Sequence, residues 1–321
     1  QPQIVDENGT TDSGSLVQQN VYYKDSRYHV YKTSYAWVIS SKDNGRTWEH
    51  PRNISDQVLH ETGEDAFFFS FGRGLTTTKH GDIVLGDYYF NSGTDQVASM
   101  IYSTDNGKSW GRTNNVNKAT SAYATENEIV ELKDGRLLMF YRNSTGRICY
   151  TTIWRDVEDG EARYTISSDS VQTDIYIQQG ATNCNLSAIT YSKEIDGKQV
   201  ILVSCPAGGV LAGGNERRNG RIFAFQVEEN WRLTPIGTPF VVKDSSDAFQ
   251  YSCLTELNDG TIGLLWENGS ASMRYDRYSI LDILPQADIK EAVVDVELNV
   301  GETYQREYVG TGEGAPEINQ E

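Results

Sequence analysis

Apolar positions along this chain fall in short β-branched and aromatic runs separated by Gly, Asn and Asp. From Lys32-Thr33-Ser34-Tyr35-Ala36-Trp37-Val38-Ile39 onward such runs recur at close spacing, among them Ile83-Val84-Leu85-Gly86-Asp87-Tyr88-Tyr89, Arg136-Leu137-Leu138-Met139-Phe140-Tyr141, Val200-Ile201-Leu202-Val203-Ser204 and Arg221-Ile222-Phe223-Ala224-Phe225. No stretch before Leu281 sustains a 3.6-residue period, so the body is predicted to be all-β. Phe249 to Leu257, the turn Asn258-Asp259-Gly260 and Thr261 to Glu267 read as a hairpin whose first strand opens with Tyr251. Residues 1–30 are polar and irregular, and Asn8 to Ser15 reads as a loop or the end of an inserted segment. Beyond residue 284 the pattern changes, so 31–284 is expected to form the folded body and 285–321 a linker or the start of an appended module.

One element repeats. Ser41-Lys42-Asp43-Asn44-Gly45-Arg46-Thr47-Trp48 and Ser103-Thr104-Asp105-Asn106-Gly107-Lys108-Ser109-Trp110 share the pattern S-x-D-x-G-x-[ST]-W, each after a β run. The Asp can accept hydrogen bonds from its own turn, Gly tolerates the positive φ, and Trp can tuck under the next strand. These aspartates therefore read as fold-forming rather than catalytic. Such a turn, repeated at an interval that suits one four-stranded sheet, points to radially repeated sheets, a β-propeller.

Composition narrows the function. The 321 residues hold 28 Lys+Arg against 45 Asp+Glu, a net charge of -17, which argues against nucleic acid and anionic membranes as partners. An anionic ligand would need a local basic pocket. No apolar run approaches 18 residues, so no segment is expected to insert in a membrane. Cys149, Cys184, Cys205 and Cys253 lie far apart without C-x-x-C spacing and read as buried free thiols. All four histidines fall in the first quarter with no H-x-x-x-H pair, so neither a metal site nor a Ser-His-Asp triad is expected, and no cofactor is implied. Gln1 is not an initiator methionine, which suggests a processed or trimmed start.

The candidate chemistry is spread along the chain. Thr125-Glu126 precedes a strand ending at Tyr141-Arg142-Asn143; later come Arg217-Arg218-Asn219-Gly220 and Phe249-Gln250-Tyr251-Ser252-Cys253-Leu254-Thr255-Glu256-Leu257. Taken singly, each arginine reads as a surface residue and Tyr251 as an amphipathic packing residue. In this order, with the two octapeptides, which look like Asp-boxes, the set resembles the C-terminal half of the catalytic domain of large secreted bacterial sialidases of the clostridial and pneumococcal type. The resemblance covers roughly residues 28–284. It implies a six-bladed propeller of which this chain supplies the later blades, and an exo-α-sialidase acting on sialylated glycans or glycoproteins from a secreted or cell-surface location. By the same resemblance Tyr251 corresponds to the nucleophile, Glu126 to the carboxylate that assists it, and Arg142 and Arg217 to two members of the arginine triad. Arg217 is preferred over Arg218 on the R-x-N-G pattern, and Glu267 corresponds to the acid that steadies the third arginine.

The chemistry of the implied substrate suits these residue types. Sialic acid bears a carboxylate on its anomeric carbon, so a neutral phenol approaches that carbon better than an anionic nucleophile; sialidases depart from the two-carboxylate glycosidase scheme in this way. The family's first arginine, in an Arg-Ile-Pro motif, and its acid/base aspartate have no match here, since Arg27 and Arg73 lie in other contexts. A separate N-terminal sialidase chain that completes the propeller is therefore expected. An inactive sialic-acid-binding propeller, an intramolecular trans-sialidase and a structural propeller of unrelated role remain as alternatives.

Overall fold

The computed structural model describes residues 4–6, 28–30, 35–59, 64–70, 72–91, 95–119, 121–176, 184–207, 217–242, 248–269 and 272–287. The expected tail lies outside this set beyond Ala287, as does most of 1–30, of which Ile4–Asp6 pairs antiparallel with Tyr28–Val30.

The body is a β-propeller of consecutive antiparallel sheets. Blade I runs Glu64–Phe69, Ile83–Asn91, Asp95–Ser103, Gly111–Arg112, with Thr76–Thr77 also pairing the second of these. Blade II is Ala124–Glu131, Leu137–Asn143, Arg147–Glu158, Glu161–Tyr176, and blade III is Ser187–Thr190, Val200–Pro206, Gly220–Val227, Leu233–Val241. Blade IV has three strands among the described residues, Gln250–Glu256, Ile262–Glu267 and Met273–Tyr278. Before blade I, Trp37–Val38 pairs with Arg52–Asn53. Among the described residues, helix is limited to single turns at Ser55–Val58 and Ile280–Ile283, the second closed by a capping box between Ser279 and Asp282.

The long apolar runs are explained by burial on both faces. Because side chains alternate across a strand, Leu137 and Met139 pack toward Val84, Ala98 and Met100 of blade I, while Leu138 and Phe140 pack toward Ile201, Val203 and Phe223 of blade III. Blade III repeats the scheme, turning Val200, Leu202 and Ala224 to Leu254, Leu264 and Trp266 of blade IV. Ala36, Ile54 and Val58 pack in the same way against Phe67, Tyr89 and Ile101 of blade I. Truncating Leu138 or Leu202, both fully buried, is the kind of change that costs about 2–5 kcal/mol.

Polar staples cross the same seams. The Glu131 carboxylate accepts Lys79 N at 3.0 and 2.9 Å, and Glu256 in the matching place on blade IV accepts Ser192 N at 2.7 Å. Asp82 of blade I takes Arg155 Nε at 2.6 Å and Tyr164 Oη at 2.7 Å from blade II.

Both repeated octapeptides close their turns internally. Asp43 accepts Thr47 N at 2.8 Å and Thr47 Oγ1 at 2.6 Å, and Asp105 accepts Ser109 N and Ser109 Oγ at 2.9 and 2.6 Å. Gly45 and Gly107 have φ of 81° and 79°. Trp110 is buried as expected, whereas Trp48 is 59% exposed, with Nε1 donating to its own Gly45 O at 3.1 Å. Trp110 lies in the core shared with Ile54 and Val58, which among the described residues does not take in Trp48.

All four cysteines are free; Cys149, Cys184 and Cys205 are buried and Cys253 half-buried.

Candidate active site

Two β-bulges make the site. On the inner strand of blade II, Ala124 pairs with Asn143 and Asn127 with Tyr141, so Thr125 and Glu126 both stand opposite Arg142. On the inner strand of blade IV, Gln250 pairs with Glu267 and Cys253 with Leu265, so Tyr251 and Ser252 both stand opposite Trp266. A bulge breaks the period of two and re-aims a side chain. Here Glu126 and Tyr251, from sheets separated by blade III, meet at the same end of their strands.

Tyr251 Oη donates to Glu126 Oε1 at 3.5 Å, and Glu126 Oε2 accepts Arg142 Nη1 at 2.9 Å. From the other side Arg217 Nη2 donates to Tyr251 Oη at 3.3 Å, with its guanidinium carbon 4.8 Å from the centre of the Tyr251 ring. Arg217 belongs to the segment leading into the Gly220 strand, whose Arg217 O accepts Phe249 N at 2.8 Å; the Arg218 side chain is exposed. Glu267 does not bond Arg217 directly in these contacts. Its Oε2 accepts Gln250 Nε2 at 3.2 Å, and Gln250 Oε1 accepts Arg217 Nη1 at 3.2 Å. All five residues singled out in the sequence thus fall in one connected group.

The backbone at Tyr251 is unusual for a non-glycine residue, with φ of 43°. That conformation costs about 1–3 kcal/mol unless the surroundings hold it. Tyr251 N donates to the buried Cys184 Sγ at 3.2 Å, and Ser252 turns inward to Ser204 Oγ at 2.7 Å.

Burial and charge act together on the titrating groups. Burial raises the Tyr251 phenol above its ordinary value and the Glu126 charge adds to this, while Arg217 opposes both. Burial works against the Arg142 cation, but the Glu126 carboxylate outweighs it and the pKa is raised. Burial pushes the Cys184 thiol up to about 11, so it is a neutral hydrogen-bonding group rather than a thiolate. Glu128, on the same strand as Glu126, is raised to about 8 by burial, against hydrogen bonding and charge from Arg73 and a contact from Ser187. Ser187 Oγ lies 3.5 Å from its Oε2.

Four neighbours were not foreseen: Gln250, Cys184, Tyr123 and Tyr88. Tyr123 hydrogen-bonds Arg142, and the Tyr88 phenol, raised by burial, also feels Glu126, Tyr251 and Arg142. Gln250 borders Tyr251 in sequence and could have been suspected. Cys184, Tyr88 and Tyr123 meet the site only through the fold. Arg27 lies outside the described residues, and Arg73 presents its backbone N–H to Glu128 Oε2 at 3.3 Å. Among the described residues no cluster of His, Cys, Asp and Glu is placed to hold a metal. Chemically, the arrangement offers a phenol between a carboxylate acceptor and a guanidinium donor, with a second guanidinium on the far side of the carboxylate.

Comparison with known proteins bears on the fold and on the kind of relatives this chain has. Residues 17–173 match the BNR repeat-like domain family. The chain is 27% identical over 293 residues to anhydrosialidase of Macrobdella decora, covering 84% of this chain and 36% of that protein. It is 28% identical over 276 residues to sialidase B of Streptococcus pneumoniae, again covering 84% and 36%. Among solved structures, the intramolecular trans-sialidase of Ruminococcus gnavus in complex with oseltamivir carboxylate superposes with a TM-score of 0.62 at 27% identity, covering 85% of this chain and 56% of that one. A leech intramolecular trans-sialidase complexed with 2,7-anhydro-Neu5Ac gives 0.63 at 26%, covering 86% and 41%. The chain therefore has sialidase homologues from several organisms and spans about a third of the length of these two curated relatives.

Proposed function

We propose that this sialidase-type propeller domain supplies the nucleophile, its base and two arginines of an exo-α-sialidase that releases terminal sialic acid with retention. The observation that supports this reading most is the Tyr251 phenol held 3.5 Å from Glu126 Oε1 and 3.3 Å from Arg217 Nη2, although Tyr251 and Glu126 lie two blades apart. In the first step Tyr251 Oη bonds to the anomeric carbon as its proton passes to Glu126 and the bond to the leaving oxygen breaks. Arg142 pairs with Glu126 at 2.9 Å and, with Arg217, presents planar donors to the sugar carboxylate, which explains how an acidic chain binds an anionic sugar. In the second step the Tyr251–sugar bond breaks and an oxygen nucleophile takes its place.

The first arginine and the acid that protonates the leaving group come, in this reading, from a preceding part of the same propeller, either joined to this chain or separate from it. The substrate is a sialylated glycan or glycoprotein, encountered outside the cell or at its surface. No helix among the described residues is long and apolar enough to cross a membrane.

A second reading concerns the oxygen nucleophile. Two of the relatives are intramolecular trans-sialidases, and one is complexed with 2,7-anhydro-Neu5Ac. Transfer to the sugar's own hydroxyl would give an anhydro product one water lighter than the hydrolysis product. A binding-only propeller has no need of a phenol paired with a carboxylate.

The test is turnover of an aryl α-sialoside, whose leaving group departs without an acid, by this chain with and without the preceding part. Mass spectrometry of the product separates hydrolysis from internal transfer. Tyr251→Phe is expected to abolish the burst of aryl alcohol and turnover; a normal burst in that variant would remove Tyr251 from the mechanism.

A further inference from the structure

Gln250 occupies a position that neither the nucleophile nor the arginine clamp requires. It stands opposite Glu267 in the blade IV ladder, and its two amide atoms serve opposite charges. Nε2 donates to Glu267 Oε2 and Oε1 accepts Arg217 Nη1, both at 3.2 Å. The orientation is forced, because a carboxylate only accepts and a guanidinium only donates. The guanidinium so held lies over the Tyr251 ring and donates its other terminal nitrogen to the phenolic oxygen at 3.3 Å. Burial and Glu126 disfavour negative charge on that oxygen, and Arg217, ahead of the weaker Arg142, opposes them.

We propose that Gln250 is a positioning residue that fixes Arg217 on the phenolic oxygen of Tyr251, and that Arg217 thereby stabilises the phenolate character that Tyr251 acquires during reaction. This rests on the reading of Tyr251 as nucleophile. As the Oη–carbon bond forms, the phenolic proton passes to Glu126. When that bond later breaks, its electron pair returns to Oη, where the Arg217 N–H already points. Arg217 therefore acts in both steps, beyond any contact with the sugar carboxylate, and Glu267 acts on it through the Gln250 amide.

The experiment is titration of the Tyr251 phenol by NMR of the chain labelled at tyrosine Cζ, the resonance being assigned by its loss in Tyr251→Phe. Removing an opposite charge at this range shifts a pKa by roughly 1–3 units, so Arg217→Met should raise the phenol by about a unit or more. Gln250→Met should raise it by a smaller amount, and should add nothing in the Arg217→Met background, because its effect passes through Arg217. Glu267→Gln, which preserves side-chain size, should shift it in the same direction and serves where Gln250→Met does not fold. A phenol unmoved by Gln250→Met and Glu267→Gln, or a Gln250→Met shift that persists without Arg217, overturns the proposal. The titration needs no turnover. Failure of the nucleophile reading shows separately, as a normal burst in Tyr251→Phe.

Discussion

At Glu128 a carboxyl group sits two residues from Glu126 in different surroundings. Glu126 shares its charge with Arg142 at 2.9 Å, whereas Glu128 is buried among Ser187, Cys253 and the backbone of Gly72 and Arg73. Burial raises Glu128 to about 8, so the neutral acid is the form the fold prefers. An unfolded glutamate titrates near 4.3. The folded state therefore binds the extra proton, and this contribution to stability is fully present below about pH 4 and is lost as pH rises through about 8. We expect the unfolding midpoint in urea to fall between pH 6 and pH 9 (roughly the range set by that titration), and Glu128→Gln to flatten the fall. An equal slope in the variant would assign the pH dependence to other groups. Arg142→Lys tests the neighbouring pair: a lysine keeps the charge but loses the planar fork, so binding of a sialic-acid analogue should weaken roughly tenfold or more. Calorimetry that finds unchanged affinity would exclude Arg142 from the clamp.

Strands explain which parts of this site could be read in advance. The octapeptide turns are local: Asp43 and Asp105 bond residues four positions away, so sequence alone shows them. The paired apolar faces of Leu137–Tyr141 and Val200–Cys205 follow equally from alternation within one run. The bulges at Glu126 and Tyr251 do not, because a strand with an inserted residue has no distinctive composition; they exist only against their partners at Arg142 and Trp266. The same holds for Cys184, whose 67-residue separation from Tyr251 is bridged by the seam between blades III and IV. That seam is tight enough to test. A Cβ on Gly220 would lie 2.4 Å from the ring of Phe249, which is fully buried and stacked on Trp266 at 5.1 Å. Gly220→Ala should therefore destabilise the protein by about 1–3 kcal/mol, and should reduce turnover because Phe249 leads directly into Gln250 and Tyr251. Adding Phe249→Leu should recover part of the lost stability in denaturant unfolding. No loss in Gly220→Ala would mean that the seam yields freely and does not brace the site.

On the scale of the whole molecule, packing among the described residues leaves one outward face on the strand pair before blade I and another on blade IV. Blades I to III each bury both faces, but the pair Trp37–Val38/Arg52–Asn53 turns Tyr35, Trp37 and Ile39 outward, with Trp37 54% exposed. Blade IV likewise turns out Leu265, Met273 and Tyr275, the last 57% exposed, and among the described residues has three strands where blades II and III have four. Both outward faces have the same aromatic and aliphatic character as the buried seams, and the outer edge of Met273–Tyr278 presents backbone donors with no neighbouring strand among the described residues. Such edges and faces are sites of association. The proposed preceding part of the propeller fits them chemically: a sheet with apolar faces, closing the ring between blade IV and Trp37 and bringing the remaining arginine and acid to the Tyr251 end. In hydrogen exchange, the amides on the outer edge of Met273–Tyr278 should exchange quickly in this chain alone and at least roughly tenfold more slowly once that part is present. Trp37 fluorescence should shift to shorter wavelength at the same time. If those amides are already protected in a monomer of this chain, the edge is covered from within and the open-ring argument for a completing polypeptide falls, leaving the Tyr251 group to be explained as a binding site.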